Sequence, residues 1–241
     1  MNKVKIRLLE IGYVPDLNLN RLRSIINRSK VFCVSEFDSV ENVKFTGSCV
    51  NINDLKGIYN KSDKADFTIG FVSKELEGNY FSKPYLDEKL ILLSIKDFKY
   101  FTQVNKITPE KFAVRFIYGF VSMFKAYGNR LPTEIEVIKD NLIQTNFQGC
   151  LFDLCMDKQD SLAFFNNPKI SASALAVLKS KSLPEGFLKQ LQTEINWLRI
   201  SWLDRMSKWI NKRPMVSMIV VFTFGLVSNV LASLIIKLFK I

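Results

Sequence analysis

Apolar residues follow two rhythms along this chain. Over Lys3–Ile11 they alternate with charged ones, Val4, Ile6 and Leu8 against Lys5 and Arg7, which is the period of a strand. Val31–Ser35, Asn42–Val50, Asp66–Val72 and Lys89–Ile95 are short runs rich in Val, Ile and Phe and also predict strands. Asp16–Ser29 changes to helical spacing through Leu17, Leu19, Leu22, Ile25 and Ile26. Thr108-Pro109 supplies an N-cap and a proline for the first helical position. The helix it opens carries Phe112, Phe116, Phe120 and Phe124 four apart, and Arg115 and Lys125 bound its apolar run, so it is expected in a protein core. Leu131-Pro132-Thr133 opens another helix towards Gln144. Strands dominate the first half and helices the second, which predicts one α+β (or α/β) domain over residues 1–183.

From Pro184-Glu185 onward, Leu188, Leu191, Ile195, Leu198, Trp202, Met206 and Trp209 form one stripe at spacings of three and four. The stripe predicts a long amphipathic helix over 184–213. It serves either as a coiled-coil seam between protomers or as the last helix of its own domain; Trp197, Ile200 and Leu203 add a second apolar edge and favour the latter.

The run from Met215 to Ile236 then holds no charged residue. At ~1.5 Å per residue it reaches about 33 Å, enough for a hydrocarbon core of about 30 Å. A transmembrane helix is expected over 214–238, with Pro214 at its start. Arg205, Lys208, Lys212 and Arg213 precede it, Lys237 and Lys240 follow it, and Trp209 is placed for the membrane interface. The larger positive charge ahead of the span assigns the N-terminal domain to the cytoplasm, as a single-pass, tail-anchored protein of the inner (cytoplasmic) membrane. Within the span, Gly225, Ser228, Asn229, Ala232 and Ser233 share one helical face, with Ser217 on the same side. Small residues let helices approach, and an amide in hydrocarbon seeks a partner, so these six are the expected self-association surface of a homo-oligomer.

Composition narrows the chemistry. The 241 residues include no histidine, which excludes Ser-His-Asp and Cys-His nucleophiles, HExxH zinc sites and two-His iron centres. The net charge of +11 is spread among Asp and Glu without a basic run interleaved with aromatics, so nucleic acid ranks last among partners, behind membrane lipids and a cytosolic protein or small-molecule signal. The four cysteines, Cys33, Cys49, Cys150 and Cys155, are expected to stay reduced. The glycines form neither GxGxxG nor GxxxxGK[ST], which argues against nucleotide hydrolysis and leaves open a small signal bound at the strand ends. Asp153, Asp157 and Asp160, and Asp87-Glu88, are carboxylate clusters without a catalytic pairing. No catalytic residue, metal or cofactor is expected.

Two stretches stand out from generic core. One is Asp66-Phe67-Thr68-Ile69-Gly70, continuing to Leu76-Glu77-Gly78-Asn79-Tyr80-Phe81-Ser82. The other is Gly149-Cys150-Leu151-Phe152-Asp153-Leu154-Cys155, followed by Asp157-Lys158-Gln159-Asp160 and Pro168-Lys169-Ile170-Ser171. Their order over roughly residues 60–180 resembles prokaryotic zincin-like (archaemetzincin-like) proteins of the kind found near antiviral defence genes. The family's histidine stretch is replaced by Thr145-Asn146-Phe147-Gln148, and Ile170-Ser171-Ala172-Ser173 stands where its cysteines fall. Cys150 and Cys155 alone fall short of the roughly four ligands of a zinc site. The resemblance therefore implies a pseudo-enzyme scaffold without metal or peptidase activity. The expected function is a sensor whose cytosolic domain takes up a partner or signal and whose membrane helices associate to perturb the bilayer, as an antiviral-defence effector. A passive membrane-anchored adaptor and a residual hydrolase are the alternatives.

Overall fold

The computed structural model describes residues 2–41, 43–143, 148–153 and 160–239. It is mixed α and β, and it divides into two units, residues 1–199 and 200–241.

In the first unit, β1 (Val4–Ile11), β2 (Phe32–Val40), β4 (Phe67–Val72), β6 (Ser82–Tyr85) and β7 (Leu90–Ser94) form one sheet in the order β2-β1-β4-β7-β6. β2, β1, β4 and β7 run parallel, and β6 returns antiparallel on the edge. Helix α1 (Leu19–Ile26) is the crossover from β1 to β2, started by Asn18, whose side chain accepts from the Arg21 amide. Every residue of β4 and β7 is buried, as strands covered on both faces require.

One face is covered by α3 (Pro109–Ala126): Phe67 meets Phe124 at 5.4 Å between ring centroids and Phe32 meets Tyr118 edge-on at 5.1 Å. Against the other lies a cluster of Leu9, Ile11, Val72, Leu90 and Leu92 with Val50, Leu55 and Leu76. These last three come from the short strands β3 (Cys49–Val50) and β5 (Glu75–Leu76), which pair in parallel, and from the 3-10 turn Ile52–Leu55. Gly70 makes this face possible, because a Cβ there would stand 2.8 Å from Ile11 Cδ1 and 2.9 Å from Leu92 Cδ2. Both sheet edges are guarded. β6 carries Pro84, and on β2 the bulge opposite Ile6/Arg7 places Glu36 beside Ser62 and Lys64.

The other α-helices among the described residues of this unit are α2 (Phe98–Asn105), α4 (Glu134–Lys139), α5 (Ser161–Asn166), α6 (Ala172–Ser180) and α7 (Glu185–Ile195). Leu188, Leu191, Ile195 and Leu198 are buried, so α7 is a core helix of this unit.

Three expectations need correction. Of the strand expected over Asn42–Val50, only Cys49–Val50 pairs; Val43 and Phe45 pack on the apolar cluster without joining a ladder, and Asn42 lies outside the described residues. The helix expected towards Gln144 ends at Lys139, with Asn141 in left-handed backbone. The single helix expected over 184–213 is two. After a 3-10 turn at Asn196–Leu198, Arg199 (ψ 138°) and Ser201 (ψ 153°) are extended, and Ser201 caps a new helix, α8 (Trp202–Lys212), by accepting from the Asp204 amide.

In the second unit, α8 is followed by α9 (Pro214–Phe239), with Arg213 (φ −139°, ψ 63°) between them. Among the described residues no helix is long and apolar enough to cross a membrane. The transmembrane helix expected over 214–238 is not supported among them, although Pro214–Phe239 is helical throughout.

Candidate functional site

In a parallel sheet wound in two directions from its middle, neighbouring crossovers leave a crevice at the carboxyl ends of the strands where the winding reverses. Here the reversal falls between β1 and β4, since β2 lies to one side of β1 and every later strand of the sheet to the other. A cavity of about 490 Å³ sits at that place. Val14, Pro15 and Asp16 reach it from the end of β1, Ser73 from the end of β4, Ile95, Lys96 and Asp97 from the end of β7, and Lys99 and Gln103 from the first turns of α2.

Local hydrogen bonds set its shape. The Val14 amide donates to Glu10 Oε1 at 3.0 Å and the Leu17 amide to the Val14 carbonyl at 3.1 Å, which turns the chain at the end of β1. Asp16 Oδ2 accepts from the Lys99 amide at 3.1 Å and so ties that turn to the start of α2. Ser94 Oγ donates to the Lys74 carbonyl at 2.8 Å, closing the end of β7 onto the end of β4. Val14 and Ile95 are buried and form an apolar floor, whereas Pro15, Asp97, Lys99 and Gln103 are exposed at the mouth.

The lining carries both signs of charge. Lys96 Nζ donates to Glu75 Oε1 at 2.7 Å and lies 3.9 Å from Asp97 Oδ2; the bond to Glu75 holds its ammonium pKa above the usual lysine range. Lys99, Gln103 and Ser73 present polar side chains around the floor. Asp97 occupies left-handed backbone (φ 57°, ψ 22°) as the N-cap of α2 and makes no side-chain cap bond there. An apolar floor ringed by a few polar groups of both signs suits a small polar solute.

The stretch from Gly149 to Asp153 is built differently. The Leu151 amide donates to the Lys169 carbonyl at 2.9 Å, and the Ser171 amide lies 3.3 Å from the sulfur of Cys150, which is buried. Asp153 Oδ2 accepts from the Gly149 amide at 3.3 Å, its carbonyl accepts from Arg115 Nη2 at 3.1 Å, and partial burial raises its carboxyl pKa. Arg115, itself buried, stacks over Phe116 and Phe164. Gly149 is left-handed, and a Cβ on it would stand 3.0 Å from the Ala163 carbonyl. These contacts bind residues 149–153 to residues 169–171 and to α3. Among the described residues, no group of three His, Cys, Asp or Glu converges as a metal site; Cys155 and Asp157 lie outside those residues.

Compared with known proteins, the chain matches no family model, no curated protein and no solved structure.

Of the residues singled out in the sequence, Gly225, Ser228, Asn229, Ala232 and Ser233 lie on α9 and are exposed. Ser233 turns its hydroxyl to the Asn229 carbonyl at 2.9 Å. Arg205, Trp209 and Arg213 are exposed. Lys240 lies outside the described residues, as do the side chains of Lys208, Lys212, Ser217 and Lys237. Cys33, Cys49 and Cys150 are free thiols. A site at the strand ends was open from the sequence, but none of its residues stood out there. The available signal was the polar group that closes each buried strand, Ser73-Lys74 after Val72 and Lys96-Asp97 after Ile95.

Proposed function

We propose that this chain is a non-enzymatic, single-pass membrane sensor: the first unit takes up a small polar solute in the crevice at the ends of β1, β4 and β7, and α9 anchors it in the bilayer and self-associates. One observation carries the membrane part. The whole uncharged run from Met215 to Ile236 lies within one continuous helix, Pro214–Phe239, about 39 Å long at ~1.5 Å per residue. The positive charge of Arg205, Lys208, Lys212 and Arg213 ahead of it supports a cytoplasmic position for the first unit. Asn229 supports association, because an amide in hydrocarbon is stabilised by a partner on another helix. The crevice supports the sensing part through its position at the winding reversal and its mixed polar rim.

Alkaline carbonate extraction of membranes holding the full chain tests the anchor. The wild type should stay in the pellet, and Val227→Arg with Leu231→Arg should move it to the supernatant. Release of the wild type would overturn the reading. The mass of the wild type in mild detergent should be that of a multimer, with Asn229→Leu shifted towards monomer; equal masses would leave α9 a plain anchor, as in the adaptor alternative.

A further inference from the structure

The break at Arg199–Ser201 changes the meaning of the apolar stripe beyond it. Leu188, Leu191, Ile195 and Leu198 are consumed inside the first unit, but the apolar residues of α8 are not. Trp202, Leu203, Met206, Trp209 and Ile210 are 61%, 59%, 47%, 42% and 38% exposed on a helix of 11 residues. At 100° per residue the five fall within one arc of about 120°. Asp204, Arg205, Ser207, Lys208, Asn211 and Lys212 occupy the other positions. So large an exposed apolar strip on so short a helix marks an interaction surface.

We propose that α8 is a membrane-surface helix, lying with this strip in the interface of an anionic bilayer and its basic positions at the headgroups. The inference rests on the membrane reading of α9. Three features favour lipid over a second copy of the chain. The polar positions are biased to one sign, with Arg205, Lys208 and Lys212 against a single acid, whereas a helix seam between protomers is flanked by charges of both signs. That acid, Asp204, is taken up in the cap, where Ser201 Oγ donates to its Oδ2 at 2.7 Å. Arg213 alone separates α8 from the start of α9, and its non-helical backbone lets α8 take a direction of its own. At about 16 Å, α8 is too short to cross a bilayer but matches a helix lying along its surface, with two tryptophans suited to the interface.

Tryptophan fluorescence of the full chain in vesicles tests this. Each of Trp197, Trp202 and Trp209 is kept alone by changing the other two to Phe, and Phe224→Trp in a chain lacking all three reports on α9. Vesicles are made of phosphatidylcholine alone or with about one third phosphatidylglycerol, whose charge attracts nearby basic residues. Lipids brominated near the headgroup or near the bilayer centre serve as quenchers, with acrylamide as the aqueous one. Trp202 and Trp209 should be quenched several-fold more by headgroup bromine than Trp197, more so with the anionic lipid, while Phe224→Trp responds to central bromine. Acrylamide quenching of Trp202 and Trp209 equal to that of Trp197, with Phe224→Trp still quenched from the centre, overturns the α8 proposal and leaves the span standing. Shielding of Trp202 and Trp209 from both acrylamide and bromine also overturns it, because the strip is then covered by protein. Failure of central bromine to reach Phe224→Trp overturns the span, and headgroup quenching of Trp202 and Trp209 in that case retains α8 as a peripheral contact.

Discussion

Tyr118 of α3 donates its phenolic hydrogen to Oε2 of Glu194 of α7 over 2.9 Å, in a site where both residues are buried. The same carboxylate accepts from Ser29 Oγ at 2.6 Å, from the Lys30 amide at 2.7 Å and from Gln190 Nε2 at 2.7 Å. One side chain thus joins the last helix of the first unit, its central helix and the connection that follows α1. A buried carboxylate is tolerable only when its lone pairs are met in this way.

Glu194→Ala should therefore destabilise strongly, because it leaves four buried or half-buried donors without an acceptor. We expect a loss of about 3 kcal/mol, seen as a fall of about 10 °C in the melting temperature of the first unit. Glu194→Gln keeps the shape and should lose roughly half as much. Calorimetry of both variants checks the order; an Ala variant as stable as the wild type would remove the carboxylate's role.

The same pair gives the protein a pH dependence. Burial, then the neighbouring Glu194 charge, pushes the Tyr118 phenol well above the ordinary tyrosine range. The group's folded-state pKa is raised, so its contribution is complete below the unfolded value of about 10 and is lost as pH rises above it. Urea midpoints measured from neutral pH into that alkaline window should fall for the wild type. In Tyr118→Phe they should start lower, by about 1 kcal/mol of stability, and fall less steeply.

Asp97 stores strain beside the crevice. A non-glycine residue in left-handed backbone costs about 1 kcal/mol, and no cap bond offsets it here. Asp97→Gly should accordingly raise the melting temperature by about 3 °C. Asp97→Ala, which keeps the strain, should not. If both variants behave alike, the backbone is not what makes this residue unfavourable.

Much of this fold was legible because burial writes itself into composition. β4 and β7, covered on both faces, read as short runs rich in apolar residues, and the caps Thr108 and Thr133 marked the starts of α3 and α4. β6 was not legible: Ser82-Lys83-Pro84-Tyr85 has a proline, which only an edge position accommodates, and edges are decided by the rest of the sheet. Nor was the break between α7 and α8, since Leu198 and Trp202 keep helical spacing across two extended residues. The crevice was hidden for a different reason. Asp16, Ser73, Lys96 and Lys99 are separated in sequence, and pairing of the strands brings them together.

The guarded sheet edges bear on how copies of this chain can meet. A bare edge strand offers its unpaired amides and carbonyls to any neighbour, and crowding turns that offer into fibrous aggregation. Pro84 withholds a donor on one side, and on the other Glu36, held by Ser62 and Lys64, sets a charged, bulged rim. High local concentration of this chain therefore does not readily zip its sheets together. Encounters between copies are left to side-chain surfaces, which can be made and undone without unravelling the fold.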